Sequence, residues 1–352
     1  MKTVSVQLLT GGEYLAKPVK LKDNQTLYYE GTCLYMKHIE TLIASGVYEV
    51  CIFEPSVLTP REKKVIKKKL HDDCSGKIKS IMESHVNHNQ EGLEEIAEAA
   101  QDIIDDIYNR EEVVDRVYDI KERSCDLYDH SVSVAALSIL IALKMNLSTW
   151  EVTDIGIGSL MHDMGLRYLT IGYKDVDPDE LSPDAIFEYK KHTLYGFSSV
   201  EKESWMSGEA KKIILYHHER LDGSGYPFKQ KAISLPVRIV SIVDAFDDIM
   251  CGIGCKKRNV RDAIEHIKTN RDVFFDGRIV DYFLDLIAPY PVGTLIVTNK
   301  GDEAVVIEQN EHFTDRPKIR LIQDWYGKPY EKEIVINLVD DMTTYIENVK
   351  NG

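Results

Sequence analysis

Five of the eleven histidines in this 352-residue chain lie between residues 130 and 218. They are His130, His162, His192, His217 and His218. A carboxylate directly follows two of these positions, since Asp163 follows His162 and Glu219 follows His218. Imidazoles combined with carboxylates suit iron, manganese, zinc, nickel or cobalt better than magnesium or calcium. One isolated histidine would most often be a core or surface residue, but five of them on helices expected to pack together predict a metal site.

A further candidate ligand, Asp244, lies in a predicted helix that begins at Pro236. Val240, Val243, Asp244 and Asp247 share one face of this apolar helix. A buried carboxylate is costly unless it is paired or bound to a metal. We therefore expect Asp244 to join the histidines.

Helix signals place the candidate ligands close to helix ends. Ser148 and Glu151 form a capping box, which predicts a helix that begins there and runs to about Met161. Gly165 is expected to end this helix in a left-handed cap position. Two more helices are predicted, one after Pro183 and one over Glu209–His217.

Two segments carry a resemblance to a known family. His162-Asp163 and the longer string His217-His218-Glu219-Arg220-Leu221-Asp222-Gly223-Ser224-Gly225-Tyr226-Pro227 resemble the HD-GYP family of bacterial cyclic di-GMP phosphodiesterases. The resemblance runs from about Asp126 to Asp285. It includes Asp129-His130-Ser131-Val132, His192 with Gly196 four residues later, and Val243-Asp244-Ala245-Phe246-Asp247.

The resemblance implies a site with two divalent metal ions, iron or manganese. The implied ligands of the first ion are His130, His162, Asp163 and Asp244. Asp163 is implied to bridge to a second ion held by His192, His217 and His218. Some members bind a third ion through a Glu one turn before the first histidine. Here Asp126 stands at that position, where it can be a ligand or a residue that caps the helix.

The implied reaction is hydrolysis of the cyclic dinucleotide c-di-GMP to pGpG, and in some members onward to GMP, by a hydroxide that bridges the metals. Two cations about 3.5–4 Å apart lower the pKa of a bridging water and neutralise charge on the phosphoryl oxygens. The candidate catalytic residues are Asp163 and Arg167. The candidate substrate contacts are Arg220, Asp222, Gly223, Gly225, Tyr226, Pro227 and Lys257.

The chain departs from the family in two places. Leu166 replaces the lysine of the HDxGK motif, and Arg167 could serve in its place only if the chain has left the helix there. The usual RPYR-like stretch is replaced by residues 251–258, where Lys256, Lys257 or Arg258 could supply a phosphate contact and a solvated basic turn is the simpler interpretation. An alternative is therefore a catalytically weak or inactive member that acts as a c-di-GMP receptor. Another HD-superfamily phosphohydrolase or oxygenase is the third interpretation.

The composition narrows the class of protein. With 43 Lys and Arg against 58 Asp and Glu, the formal net charge is −15, which argues against binding to a nucleic acid polymer. No uncharged run approaches the roughly 18 apolar residues of a membrane helix, and no signal pattern opens the chain. The six cysteines are scattered, so reduced thiols are expected. These features predict a cytoplasmic protein that is not bound to a membrane.

The predicted fold class is mainly α, with a helical HD-type bundle between two small modules. Residues 1–72 are expected to form an α/β accessory module, 73–120 connecting helices, 121–288 the HD-GYP catalytic domain and 289–352 a β-rich module. Four strands are predicted in the last module, over Thr294–Thr298, Glu303–Glu308, Lys318–Ile322 and Glu333–Leu338. An apolar stripe from Leu93 to Ile107 is interpreted as a solvated connecting helix or a homodimer contact.

Overall fold

The computed structural model describes residues 2–9, 13–20, 26–28, 33–34, 36–52, 60–88, 92–108, 126–290, 292–310 and 313–350. Most of the described chain is helical, and the buried hydrophobic side chains form a large core in the helices and a smaller one in each terminal module. The predicted fold class is confirmed.

The N-terminal module contains three short antiparallel strand pairs and one helix. β1 (Lys2–Ser5) pairs with β6 (Glu49–Ile52), β2 (Glu13–Tyr14) with β5 (Cys33–Leu34), and β3 (Val19–Lys20) with β4 (Thr26–Tyr28). Helix α1 (Met36–Ala44) buries Ile39 and Leu42 in the core of this module.

Ten further helices follow α1 in the described residues. They are α2 (Pro60–His88), α3 (Glu95–Tyr108), α4 (Leu127–Lys144), α5 (Thr149–Met161), α6 (Pro183–Lys190), α7 (His192–Val200), α8 (Gly208–Tyr216), α9 (Leu235–Cys251), α10 (Val260–Thr269) and α11 (Gly277–Leu286). α4 lies at the centre and packs against α2, α3, α5, α9 and α11. α4 is also long and apolar enough to cross a membrane, but 83% of that window is buried inside the protein, as in the core helix of a folded domain.

The helices that precede α4 belong to the same core. Leu93, Ile96, Ala100 and Ile104 on and just before α3 are buried, and α3 packs against α5. The interpretation of this stripe as a solvated connector is therefore wrong, because the chain itself covers it. The burial also removes the stripe as a reason to expect a homodimer. The side chain of Ile107 lies outside the described residues.

The capping box that opens α5 is confirmed. The Ser148 hydroxyl accepts from the Glu151 amide, and the Glu151 carboxylate accepts from the Ser148 amide. α5 ends at Met161 as predicted, but Gly165 is not a left-handed cap, since it lies in a 3₁₀ segment over Met164–Tyr168 and has no positive φ. A Cβ at Gly165 would lie 1.9 Å from the carbonyl oxygen of His192, so this glycine permits close packing against α7.

The C-terminal module is a five-stranded antiparallel sheet. Its strands are β7 (Leu295–Thr298), β8 (Glu303–Glu308), β9 (Lys318–Gln323), β10 (Val335–Asn337) and β11 (Ile346–Val349), in the order β10-β9-β8-β7-β11. Four of these strands were predicted, and β11, which pairs with β7, was missed.

Candidate metal centre

The candidate ligands reach one point from five helices. His130 is in the first turn of α4, Asp244 is in the middle of α9, and His192 is the first residue of α7. His162 and Asp163 directly follow α5, and His217 and His218 directly follow α8. All seven side chains are buried. Helix ends are suited to this task because the chain can turn there and present consecutive residues to the same point.

The first donor set contains His130, His162, Asp163 and Asp244. The Nε2 atoms of His130 and His162 lie 3.0 Å apart. Asp244 Oδ1 lies 3.0 Å from the Nε2 of His162 and 3.4 Å from that of His130. Four nitrogen and oxygen donors at these separations surround a space that suits one cation.

The second donor set contains Asp163, His192, His217 and His218. The Nε2 atoms of His192 and His217 lie 3.3 Å apart. Asp163 Oδ1 lies 3.3 Å from the Nε2 of His192 and 3.6 Å from that of His217. This set has the same mixed imidazole and carboxylate character as the first.

Asp163 joins the two sets through its two oxygens. Oδ1 faces His192 and His217, whereas Oδ2 lies 3.6 Å from the Nε2 atoms of both His130 and His162. Asp163 Oδ1 is buried without a hydrogen bond, although a buried carboxylate oxygen normally has a partner. A cation on each side of this carboxylate would supply the missing interaction, so the residues fit divalent metal ions.

In four of the five imidazoles a hydrogen bond holds Nδ1, and Nε2 is the atom that faces the donor sets. Nδ1 of His162 lies 2.7 Å from the Ser159 carbonyl, and Nδ1 of His192 lies 2.8 Å from that of Tyr189. Nδ1 of His217 lies 3.0 Å from the Ile214 carbonyl. A carbonyl can only accept, so each of these three rings carries its proton on Nδ1 and offers a lone pair from Nε2, as a metal ligand must.

His130 is oriented by a carboxylate instead. Its Nδ1 lies 2.7 Å from Oδ2 of the buried Asp247, one turn after Asp244 on α9. Burial lowers the pKa of His130, but the bonds to Asp244 and Asp247 outweigh it and raise the pKa well above its ordinary value. A carboxylate behind a ligating imidazole makes the imidazole a stronger donor.

In the second donor set, burial outweighs the other influences and the pKa values of two imidazoles fall. It lowers the pKa of His192 to about 4, and burial beside His217 lowers the pKa of His218 well below the usual range. Both rings are therefore neutral at pH 7. Burial raises the pKa of Asp244, yet its bonds to His130 and His162 hold that pKa well below the usual range. His192 and His218 in the second set are thus neutral imidazoles, and Asp244 in the first set is an ionised carboxylate.

Asp126 has a different position from these ligands. It is the N-cap of α4, where Oδ1 accepts from the amides of Tyr128 and Asp129 at 2.9 Å. Asp126 belongs to none of the possible metal-binding groups among the described residues. The structure favours its capping role.

Arg167 does not point into the centre as a free cation. Its guanidinium contacts both carboxylate oxygens of Glu83 on α2 at 2.8 Å. The Tyr128 hydroxyl also donates to Glu83. The preceding Leu166 is buried with Leu127, Cys251 and Ile253. The predicted catalytic role of Arg167 conflicts with this pairing, because the charge that would meet a phosphate is already engaged.

The loop after α8 is folded on itself. Glu219 is buried and accepts from the amides of Phe228 and Gln230, at 2.7 and 2.9 Å. A Cβ at Gly225 would lie 2.4 Å from the His218 carbonyl oxygen. Gly225 therefore allows the loop to approach its own backbone, whereas the sequence had suggested an approach to substrate. Gly223 has φ +82° in the turn where Asp222 Oδ1 accepts from Ser224.

Arg220 and Lys257 are likewise engaged within the protein. Arg220 donates to the carbonyls of His217 and Glu219 at 3.0 Å and to the Ser241 hydroxyl at 2.6 Å. Lys257 is exposed, and its amide donates to Asp175. The structure therefore gives Arg220 a part in holding the loop and places the Lys257 amide against Asp175.

Tyr226 covers one side of the centre. Its ring stacks on the His218 ring with centroids 4.6 Å apart, next to Pro227 at the end of the loop. The Lys190 ammonium lies 5.3 Å from the centroid of the same Tyr226 ring. Lys190 is exposed, so a cation stands near the rim of the donor sets on the side of His218. Sequence reasoning did not identify Lys190.

Sequence reasoning also missed roles for Asp247 and Asp248. Asp247 orients His130, and Asp248 forms a further possible metal-binding group with His218 and Asp244. The signal was present, because residues 244, 247 and 248 are spaced three and four apart and so share one helical face.

Comparison with known proteins identifies a family that resembles the helical part of the chain. Residues 109–279 match the family model described as HD domain. The helical domain therefore resembles an HD domain. The resemblance drawn from the sequence is confirmed at this level.

Proteins similar to this chain include two named cyclic di-GMP phosphodiesterases. One, PA4108 of Pseudomonas aeruginosa, is 29% identical over 212 residues, which cover 59% of this chain and 51% of that protein. The other, from Thermotoga maritima, is 31% identical over 171 residues, which cover 47% of this chain and 45% of that protein. This chain spans about half the length of the curated relatives it matches.

A solved structure supports the fold of the HD domain and its surroundings. It is described as Bd1817, an HDG"Y"P protein from Bdellovibrio bacteriovorus, and has a TM-score of 0.52 at 18% identity. The match covers 81% of this chain and 98% of that one.

Proposed function

We propose that this protein is a metal-dependent phosphodiesterase that hydrolyses c-di-GMP. The observation that carries the proposal is the pair of donor sets that share Asp163, whose two oxygens face different imidazoles. Two such sets side by side match the needs of an in-line displacement at phosphorus. The names of the relatives supply the substrate class, and the product, pGpG with or without GMP, is part of the proposal.

The proposed ligands are those of the two donor sets, and iron or manganese are the proposed ions. His130, His162, Asp163 and Asp244 would hold one ion, and Asp163, His192, His217 and His218 the other. Ions bound there would lower the pKa of a coordinated water and offset the negative charge of the phosphodiester. The net charge of the chain, −15, would otherwise repel this anion, so the substrate must be attracted locally.

The protein's own groups have three tasks in this proposal. The Ser159, Tyr189 and Ile214 carbonyls keep three imidazoles in the tautomer that binds metal. The Gln230 amide donates to Glu219 and so closes the loop that follows His217 and His218. This loop places the Tyr226 ring against the His218 ring. Tyr226 then offers a ring surface on which a guanine base can stack.

Lys190 is the proposed contact for a phosphate that is not on the metals. A cyclic dinucleotide has two phosphodiester groups, and only one can be cleaved at a time. Lys190 stands on the Tyr226 side of the centre, whereas Leu166 is apolar and Arg167 is paired with Glu83. Lys190 thus offers a positive charge in place of the HDxGK lysine, whose position holds Leu166 in this chain.

One observation favours the receptor alternative. The 3₁₀ segment that follows Asp163 presents a buried Leu166 and an engaged Arg167, so no cation from this segment reaches the reacting phosphate. A site of this kind would bind c-di-GMP and turn it over slowly or not at all.

The test is incubation of reduced, manganese- or iron-loaded protein with c-di-GMP under anaerobic conditions, with nucleotides separated by chromatography. The proposal predicts pGpG that accumulates over many turnovers and no product from the Asp163→Ala variant. Tight binding of c-di-GMP without pGpG would establish the receptor alternative in its place.

A further inference from the structure

Tyr189 is a half-buried tyrosine between the second donor set and the loop that follows α9. It is the penultimate residue of α6, and its carbonyl accepts from Nδ1 of His192 at 2.8 Å. The centroids of the Tyr189 and His192 rings lie 5.1 Å apart. The hydroxyl end of the ring lies against Gly254, where an added Cβ would overlap the hydroxyl oxygen. Gly254 therefore leaves the space that this hydroxyl occupies.

The Tyr189 hydroxyl makes no hydrogen bond to any residue that the structure describes. Its ring packs against an apolar cluster that includes Leu166, Cys251 and Ile253. Phenylalanine would serve such packing equally well, and the hydroxyl of a buried tyrosine normally has a polar partner. The unpaired hydroxyl therefore indicates a polar partner that the fold itself does not supply.

The charges that act on this hydroxyl belong to the candidate metal centre. Burial raises the pKa of Tyr189 well above its ordinary value, and so do Tyr226 and three carboxylates of the centre, those of Asp248, Asp163 and Asp244. A phenol keeps its proton at pH 7 even without such a shift, so the hydroxyl is a hydrogen-bond donor toward an anion. A neutral donor thus stands beside the two donor sets.

We propose that Tyr189 is a further catalytic residue, whose hydroxyl donates a hydrogen bond to a phosphoryl oxygen of the phosphodiester bound at the centre. This inference rests on the proposed phosphodiesterase function and adds a substrate contact to it. A fixed donor in the protein interior stabilises the negative charge that grows on a phosphoryl oxygen, and Tyr189 keeps its proton throughout. The neighbouring Lys190 remains the proposed contact for the other phosphate.

The backbone on both sides of the Tyr189 ring is held in place. The Gly254 amide donates to the Tyr173 carbonyl at 2.7 Å, and the Asp175 amide donates to the Gly252 carbonyl at 2.6 Å. At the other end of the ring, the bond from His192 holds the Tyr189 carbonyl. The hydroxyl is therefore positioned before a substrate binds, which is the arrangement that makes a donor effective in catalysis.

The first experiment measures the affinity of the manganese-loaded full chain for inorganic phosphate by calorimetry. It compares the wild type with Tyr189→Phe, which keeps the ring and removes only the hydroxyl, and with Tyr195→Phe as the control. We expect Tyr189→Phe to bind phosphate about tenfold more weakly at an unchanged manganese content, because a hydrogen bond to a charged acceptor is lost. The Tyr195 hydroxyl already donates to Glu188 at 3.0 Å, so its removal should leave the phosphate affinity unchanged.

The second experiment measures hydrolysis. The kcat of Tyr189→Phe should fall about tenfold for both c-di-GMP and bis(p-nitrophenyl) phosphate, since each presents a phosphodiester to the centre. This result would distinguish Tyr189 from Lys190, whose proposed contact exists only in a substrate with two phosphates.

The two experiments separate this inference from the proposed function. Equal phosphate affinities of the wild type and Tyr189→Phe would overturn the inference, whether or not the protein hydrolyses c-di-GMP. Loss of manganese from folded Tyr189→Phe would also overturn it, because the hydroxyl would then act by supporting His192. A wild type that binds phosphate through Tyr189 but forms no pGpG would support the contact and refute the proposed phosphodiesterase activity.

Discussion

Arg167 is held by Glu83 through two contacts of 2.8 Å, one to each carboxylate oxygen. The pair joins the 3₁₀ segment that follows Asp163 to α2, which is 84 positions earlier in the chain. Tyr128, two residues before His130, donates to the same carboxylate. The segment that follows Asp163 and the start of α4 are thus tied to a helix that precedes residues 109–279, which match the HD domain model.

Removing this carboxylate should weaken the fold without emptying the centre. Glu83→Ala breaks a two-point ion pair and a tyrosine hydrogen bond that are only partly exposed, so we expect a loss of about 1 kcal/mol in the free energy of unfolding. Urea unfolding measures it, with Glu265→Ala on the exposed face of α10 as the control. If folded Glu83→Ala protein bound less manganese than the wild type, this assignment would be contradicted.

Gly225 should be intolerant of even a methyl group. Gly225→Ala places a Cβ 2.4 Å from the His218 carbonyl oxygen and 2.5 Å from the Glu219 Cα, and these are backbone atoms that cannot rotate away. We expect a loss of about 1–3 kcal/mol in stability, together with weaker metal binding. Thermal unfolding compares it with Gly172→Ala, where a Cβ meets nothing within 4 Å. Equal melting temperatures for the two variants would be evidence against the close packing described.

Asp247 should act on the metal through His130. Asp247→Ala removes the acceptor that fixes the His130 ring while leaving every proposed ligand in place, so metal affinity should fall about 10–100-fold. Competition against a coloured chelator measures the affinity, and Asp184→Ala, at an exposed position on α6, is the control. An unchanged affinity would mean that packing alone orients His130.

Lys190 should matter for a substrate with two phosphates and not for one with a single phosphate. We expect Lys190→Ala to raise the KM for c-di-GMP about tenfold, since an ammonium–phosphate contact contributes roughly 1.4 kcal/mol. Hydrolysis of bis(p-nitrophenyl) phosphate should be unaffected, and Lys202→Ala should change neither reaction. A parallel loss with both substrates would show that Lys190 acts on the metal centre itself.

The positions of the candidate ligands were predictable because few other roles suit these residue types at these places. His162-Asp163 and His217-His218 are adjacent pairs at predicted helix ends, and Asp244 is an acidic residue in an apolar helix. Each is hard to explain as a core residue alone. The structure brings all seven predicted ligands of the two donor sets together, including the shared position of Asp163.

The surroundings of the ligands were less predictable. Arg167 and Glu83 form a pair that depends on how α2 packs, and nothing local to residue 167 reveals it. A glycine at position 225 is consistent with close approach of a substrate or with close packing of the loop against its own backbone. The sequence does not distinguish the two, because the difference depends on the path of the backbone. The stripe on α3 was misread because an amphipathic helix has the same pattern whether its own domain or another molecule covers it.

The most direct test of the account is the metal content of the protein with and without Asp163. Wild-type protein loaded with manganese and its Asp163→Ala variant are desalted and measured for manganese per folded chain. Because Asp163 is the proposed shared ligand, we predict at least two ions on the wild type and fewer than one on the variant. A wild-type protein that retains no manganese or iron, or a variant that binds as many ions as the wild type, would contradict the proposed centre.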